Sequence, residues 1–115
     1  MNTDFEKAFE ISNLMAVAAN QKKSLKEEFE NSTLYFYNGG TFKIDQTIIA
    51  FVLSLKMMDQ TTAVIIDQNK LPIFIENINT FLSNILDCYT RASNKFLTDY
   101  KKIQDSREIE SILNL

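Results

Sequence analysis

Few residues in this chain could carry chemistry. It contains no histidine, which removes the usual general base, the commonest zinc ligand and any Ser-His or Cys-His nucleophile pair. The one cysteine, Cys88, forms no internal disulfide and lies inside a long helical pattern, where a thiol is ordinarily a small apolar filler. Asp45, Asp59 and Asp67 each stand at a boundary between segments, where aspartate serves caps and turns by accepting backbone N–H groups. Their separations give neither metal-ligand spacing nor a catalytic carboxylate pair. Gly39-Gly40 lacks the spaced glycines and the Lys-Ser/Thr of a phosphate-cradling loop. No catalytic, metal-binding or cofactor-binding residue emerges, and a non-enzymatic protein is the expectation.

One other group of residues has a chemical use. Tyr35, Tyr37 and Lys43 would share a hairpin face on which single-stranded bases stack. The competing reading is that a helix covers this face and the tyrosines pack beneath it. The charge is −3, and no third of the chain carries net positive charge, so nucleic acid ranks well behind protein as a partner.

The elements that would position these residues follow from periodicity. Residues 3–30 read as a long helix, with Ile11, Leu14, Ala18 and Leu25 near heptad spacing. Its middle, Met15 to Ala19, is expected to be its most buried part. Residues 32–44 read as a β-hairpin turning at Asn38-Gly39-Gly40, because primed turns require positive φ at their central residues. Asp45 caps a second helix over about 46–58, apolar nearly all round and therefore expected at the centre of the core. A second hairpin pairs 62–66 with 71–75, with Pro72 at the start of a strand or on an edge. Asn77 opens a helix whose stripe Ile78, Leu82, Ile85, Tyr89, Ala92, Phe96 and Ile103 alternates steps of four and three residues. Asp105 with Glu108 resembles a capping box opening a short terminal helix over 104–115.

The order α-ββ-α-ββ-α-α gives an α+β class. It predicts one domain over 1–115: an N-terminal helix (1–31), a core of hairpins and helices (32–103) and the terminal helix. The two hairpins would make one small antiparallel sheet of three or four strands with helices on at least one face. At ~1.5 Å per residue the stripe from Ile78 to Ile103 spans about 39 Å, against a diameter of roughly 34 Å for a compact domain of this size. The long helices should therefore overhang the sheet. Either they cover one another within the chain or they join copies of it. The second option makes the protein a homo-oligomer, with Phe96, Tyr100, Ile103, Ile109, Ile112 and Leu113 as the contact candidates.

No apolar run approaches the ~20 residues that span a bilayer, and the acidic N-terminal stretch (Asp4, Glu6, Glu10) is unlike a secretory signal. With a single cysteine, this points to a soluble cytoplasmic protein and no membrane partner. Isoleucine, asparagine and lysine are abundant and tryptophan is absent, a bias that follows from AT-rich codons.

Asn38-Gly39-Gly40-Thr41-Phe42-Lys43-Ile44-Asp45, Ile66-Asp67 with Leu71-Pro72-Ile73, and Tyr89, Asn94-Lys95 and Tyr100-Lys101-Lys102 together resemble small uncharacterised proteins of T4-like phages of marine bacteria. The resemblance covers about residues 35–110. It implies a phage source, with a place in the host cytoplasm or the virion, and brings no established activity and no site residues. The expectation is a small protein-interaction or assembly component.

Overall fold

The computed structural model describes the backbone of residues 3–113 and the side chains of residues 3–106. Seven elements follow in order: α1 (Thr3–Ser32), β1 (Leu34–Tyr37), β2 (Gly40–Lys43), α2 (Gln46–Met57), β3 (Ala63–Ile66), β4 (Pro72–Ile75) and α3 (Ile78–Leu113). The α+β class read from the sequence is the class observed. The chain divides into two compact units. One comprises residues 29–94, and the other combines the start of the chain through Glu28 with Lys95 onward.

The larger unit holds the core. β1 and β2 pair antiparallel across a two-residue turn, Asn38-Gly39, whose φ values of 48° and 81° are both positive, as a type I′ turn requires. Gly40 belongs to the return strand, one residue earlier than the sequence suggested, and pairs with Tyr37. β3 and β4 pair Ala63–Ile75, Val64–Phe74, Ile65–Ile73 and Ile66–Pro72. Asp45 caps α2 by accepting the Ile48 N–H at 3.0 Å, and Asn77 caps α3 through the Thr80 N–H at 3.0 Å.

Phe42, Ile44, Val52, Ile65, Ile73, Ile75, Ile78, Phe81, Leu82 and Ile85 form one buried cluster. The first turns of α3 are its centre. The Phe81 ring meets Phe42, Tyr37 and Tyr35 edge-on at centroid distances of 5.3, 5.5 and 5.8 Å, the arrangement that ring quadrupoles favour. Ile78, Leu82, Ile85 and Ala92 of the expected stripe are buried, and Tyr89 is half-buried.

Four expectations are corrected. The hairpins do not merge into one sheet; each is a separate two-stranded ladder. Where hydrogen bonding between them begins, the Asp67 carboxylate accepts the Thr41 N–H in place of a strand carbonyl, and only the Gln68 N–H reaches back to the Thr41 carbonyl. A side chain in that position ends a ladder that a carbonyl would extend. α2 is not the buried centre either: Val52 alone is buried, and Phe51, Leu53 and Met57 are exposed. A helix apolar all round needs cover on several sides, and here only one side receives it. In α1, only Ala18 of the segment Met15–Ala19 is buried. Finally, no second helix opens at Asp105; α3 runs unbroken to Leu113. Asp and Glu in a capping-box pattern do not interrupt a helix that contains neither glycine nor proline to stop it.

Candidate functional site

All described residues of the smaller unit are helical, and it pairs the two long helices in opposite directions. Lys95 bridges to Glu28 at 2.6 Å, while one turn or more further along α3 the Tyr100 ring receives the Lys22 ammonium 5.5 Å from its centroid. Val17, Asn20, Gln21, Ser24 and Leu25 of α1 then face Asp99 and Ile103 across an open groove of about 440 Å³. Each step back along α1 is matched by a step forward along α3, as in an antiparallel helix pair. Lys95 also binds Asp99 at 2.7 Å, and Lys102 lies 3.9 Å from the same carboxylate. Hydrogen bonding first to Asp99 and then to Glu28 holds the Lys95 ammonium well above its ordinary range, and the Lys95 hydrogen bond lowers Asp99. These pairs face solvent, where ion pairs set register more than they add stability.

Phe96, Tyr100 and Ile103, three of the contact candidates, are half-buried in this unit. Ile103 lines the groove and Tyr100 lies under Lys22, so two of them face α1. Ile109, Ile112 and Leu113 lie outside the residues whose side chains are described. Most of the exposed apolar residues described in the unit are on α1, among them Phe5, Phe9, Ile11, Leu14, Met15 and Val17, and Leu97 is exposed on α3. Of the stripe Ile11, Leu14, Ala18 and Leu25 read from the sequence, Ala18 is buried and Leu25 half-buried, while Ile11 and Leu14 are exposed.

In the larger unit, the residues proposed as a base-stacking face have their contacts within the fold. Tyr35 and Tyr37 stack on each other at 6.5 Å and stand edge-on to Phe81. Their hydroxyls accept hydrogen bonds from Asn84 Nδ2 at 3.1 Å and from the Glu76 N–H at 3.3 Å. Lys43 donates to the Glu30 carbonyl, pairs with the Glu30 carboxylate at 2.8 Å, and lies 5.7 Å from the centre of the Phe29 ring. It also donates to the Thr33 hydroxyl. The two tyrosines are thus half-buried against Phe81, and Lys43, opposite Leu34, lies on the other face of the hairpin.

Asp67 is the buried carboxylate of the larger unit. It accepts the N–H groups of Thr41, Asn69 and Leu71, each at 2.9 Å, and so closes the β3–β4 turn and ties it to β2. The Thr41 bond, followed by the Leu71 bond, holds its pKa below the ordinary carboxylate value against the opposing effect of burial. Asp45 is the α2 cap, and Asp59 sits at φ 59° just after α2. The Cys88 thiol donates to the Ser32 carbonyl at 3.3 Å, and burial, assisted by Asp87, pushes its pKa up. A raised thiol pKa lowers the fraction of thiolate, the form that attacks as a nucleophile. Among the described residues, no three His, Cys, Asp or Glu side chains converge to hold a metal ion, and no helix is long and apolar enough to cross a membrane.

The second hairpin has an apolar outer face that sequence reading did not single out. Val64 and Phe74 are paired neighbours on it, as are Ile66 and Pro72, and all four are exposed. The signal was present: β3 and β4 are apolar at every position rather than at alternate ones. Comparison with protein-family models, with curated proteins and with solved structures finds no match to this chain.

Proposed function

We propose that this protein is a non-enzymatic assembly component that works by protein contact, as a homo-oligomer joined through its paired long helices. The observation that carries this reading is the gradient of exposure along one stripe of α1. Ala18 is 6% exposed, Leu14 one turn earlier is 37% exposed, and Ile11 is 51% exposed. The three residues share a face by their four- and three-residue spacing. Met15, Val17 and Phe9 place further apolar surface on other sides of the same segment, and each is more than half exposed. A helix apolar around most of its circumference needs more cover than a single antiparallel neighbour gives it. Together these five side chains leave on the order of 500 Å² of apolar surface uncovered, distributed around the segment.

A second copy of the same helix pair is the cover we propose, with Phe96, Tyr100 and Ile103 bordering the contact. The resemblance to small phage proteins suits such a role without naming the structure assembled. The test is solution mass by light scattering over a range of concentrations, for the natural chain and for Ile11→Glu/Met15→Glu. The natural chain is expected at a stable multiple of 13.3 kDa down to low concentration, and the double variant at the monomer mass below ~10 µM with unchanged helicity. A natural chain that stays monomeric at every concentration would sink the proposal.

A further inference from the structure

The open edge of β3 has an independent use. In an antiparallel ladder, alternate residues turn their N–H and C=O groups toward the partner strand, and the residues between turn theirs away. Asp67 donates its N–H to the Leu71 carbonyl across the β3–β4 ladder, so Ile65 and Ala63 also bond toward β4. The N–H and C=O groups of Val64 and Ile66 therefore point away from it. Two facts on the far strand agree with this phase. Pro72, opposite Ile66, has no N–H to donate, and the Phe74 carbonyl, opposite Val64, points outward to accept the Asn38 side-chain amide at 3.2 Å. The β4 edge is thus occupied by the first hairpin, which also brings the Tyr37 hydroxyl to the Glu76 N–H. Among the described residues, nothing partners the outward groups of Val64 and Ile66.

From this pattern we infer that β3 is a strand-addition site for the β3 of a second copy, forming a continuous four-stranded sheet β4–β3–β3′–β4′ about a twofold axis at Ile65. The fit is self-complementary. With Ile65 opposite its own copy, Val64 of each chain stands opposite Ile66 of the other. Each of these two pairs exchanges both N–H···O=C bonds, which uses every outward group on both edges. An interface whose donors and acceptors match under a twofold is the isologous kind from which closed dimers form.

The side chains agree with an identical partner. Natural edge strands are protected from such pairing by lysine, proline, a bulge or a covering loop. Ala63–Ile66 has no charge and no proline, and its four residues match four on β4 without a bulge. Pro72–Ile75 is likewise uncharged, so no like charges meet across the axis. β1 has an outer edge too, at Leu34 and Phe36, but Lys43 stands opposite Leu34 and carries the ion pair with Glu30. Val64 is 60% and Ile66 57% exposed, so pairing would set two β-branched side chains directly opposite each other on the apolar outer face. The surface covered is less than the ~800 Å² per partner of a standard interface. Association through this edge is accordingly expected to depend on concentration.

This contact lies in the larger unit and does not depend on the α1 contact proposed above, and two variants separate them. Val64→Pro removes one outward N–H and leaves the β3–β4 ladder bonds intact, a position where an edge strand tolerates proline. In the Ile11→Glu/Met15→Glu background, where the helix contact is absent, the chain is expected to gain mass toward a dimer between ~10 µM and ~1 mM, concentrations that bracket weak association. Adding Val64→Pro is expected to abolish that gain. Hydrogen exchange on the unmodified β3 gives a second reading that needs no proline. The amides of Val64 and Ile66 should exchange several-fold more slowly as concentration rises, while those of Ala63 and Ile65, already bonded to β4, serve as the internal control. Exchange at Val64 and Ile66 that ignores concentration would overturn the inference, as would a folded Val64→Pro chain that dimerises like its parent.

Discussion

Gly40→Ala tests the contact by which the two hairpins hold each other. A Cβ added at Gly40 would lie 2.5 Å from Ile73 Cγ1 and 2.8 Å from Ile73 Cδ1, where carbon atoms in contact sit at about 3.5–4.0 Å. Ile73 is a buried residue of β4, and its branched side chain is stiff about χ1, so it cannot swing aside without leaving its rotamer. Overpacking of this kind costs about 1–3 kcal/mol. Gly40 is not among the residues with positive φ, so alanine also gains about 0.4–1 kcal/mol by restricting the unfolded chain. The net expectation is a loss of about 1–2 kcal/mol.

Ile73→Ala alone should cost about 2–5 kcal/mol through lost burial and the cavity left behind. In that background both clashing atoms are gone, and the new methyl at position 40 enters the vacated space. Gly40→Ala should then change sign and stabilise, so that the double variant is more stable than Ile73→Ala by about 0.5–1 kcal/mol. Urea unfolding followed by tyrosine fluorescence reads the right unit, because Tyr35, Tyr37 and Tyr89 belong to it and only Tyr100 lies outside. Additive effects, or a Gly40→Ala chain as stable as its parent, would refute the packing of Gly40 on Ile73.

Two further changes probe the turns that frame this contact. Gly39→Val is expected to destabilise by about 1–2 kcal/mol in the same assay, because φ of 81° is a left-handed conformation that a β-branched residue adopts only with strain; equal stability would mean that the turn can form another way. Asp67→Asn is expected to lower stability at neutral pH, since an amide cannot accept all three N–H groups with both its atoms. The folded-state pKa of Asp67 is depressed, so its contribution is present above the ordinary carboxylate pKa of about 4 and is lost as pH falls through the lower folded value. The gap between natural chain and variant should close on acidification, and a gap independent of pH would show that the carboxylate charge is not what the three N–H groups recognise.

Local order in this chain was legible because local rules decided it. Asn38-Gly39 demanded a primed turn, Asp45 and Asn77 offered side-chain acceptors where helices begin, and the stripe from Ile78 to Ala92 had one face that had to be buried. In each case neighbours within a few residues supplied the constraint. What the sequence concealed depended on contacts between segments distant in the chain. Nothing in the pattern of Gly40 says that Ile73 will occupy the space of its missing Cβ. Nothing at Asp67 says that one oxygen will reach Thr41, 26 residues away, and so keep the two ladders apart. The burial of α2 was misjudged for a related reason. Apolar composition states how much cover a helix needs, and only the packing of the other elements states how much it receives.

That difference between cover needed and cover received also locates the candidate surfaces. α1 around Ile11–Val17, the outer side of α2 at Phe51 and Leu53, and the outer face of hairpin β3–β4 each retain apolar side chains that their own unit leaves exposed. Sequence reading pointed instead to the far end of the long helix, Phe96, Tyr100 and Ile103 with Ile109, Ile112 and Leu113, because its periodic stripe was expected to overhang the sheet. Clear periodicity, however, is what lets a helix find a partner within its own chain, and Tyr100 and Ile103 meet α1 there. The apolar surfaces left exposed are the less regular ones, apolar on more sides than one neighbour covers. For β3 the same logic applies to hydrogen bonds: β4 satisfies one edge, and the outward groups of Val64 and Ile66 form the remainder. An identical strand is the simplest partner whose spacing matches them.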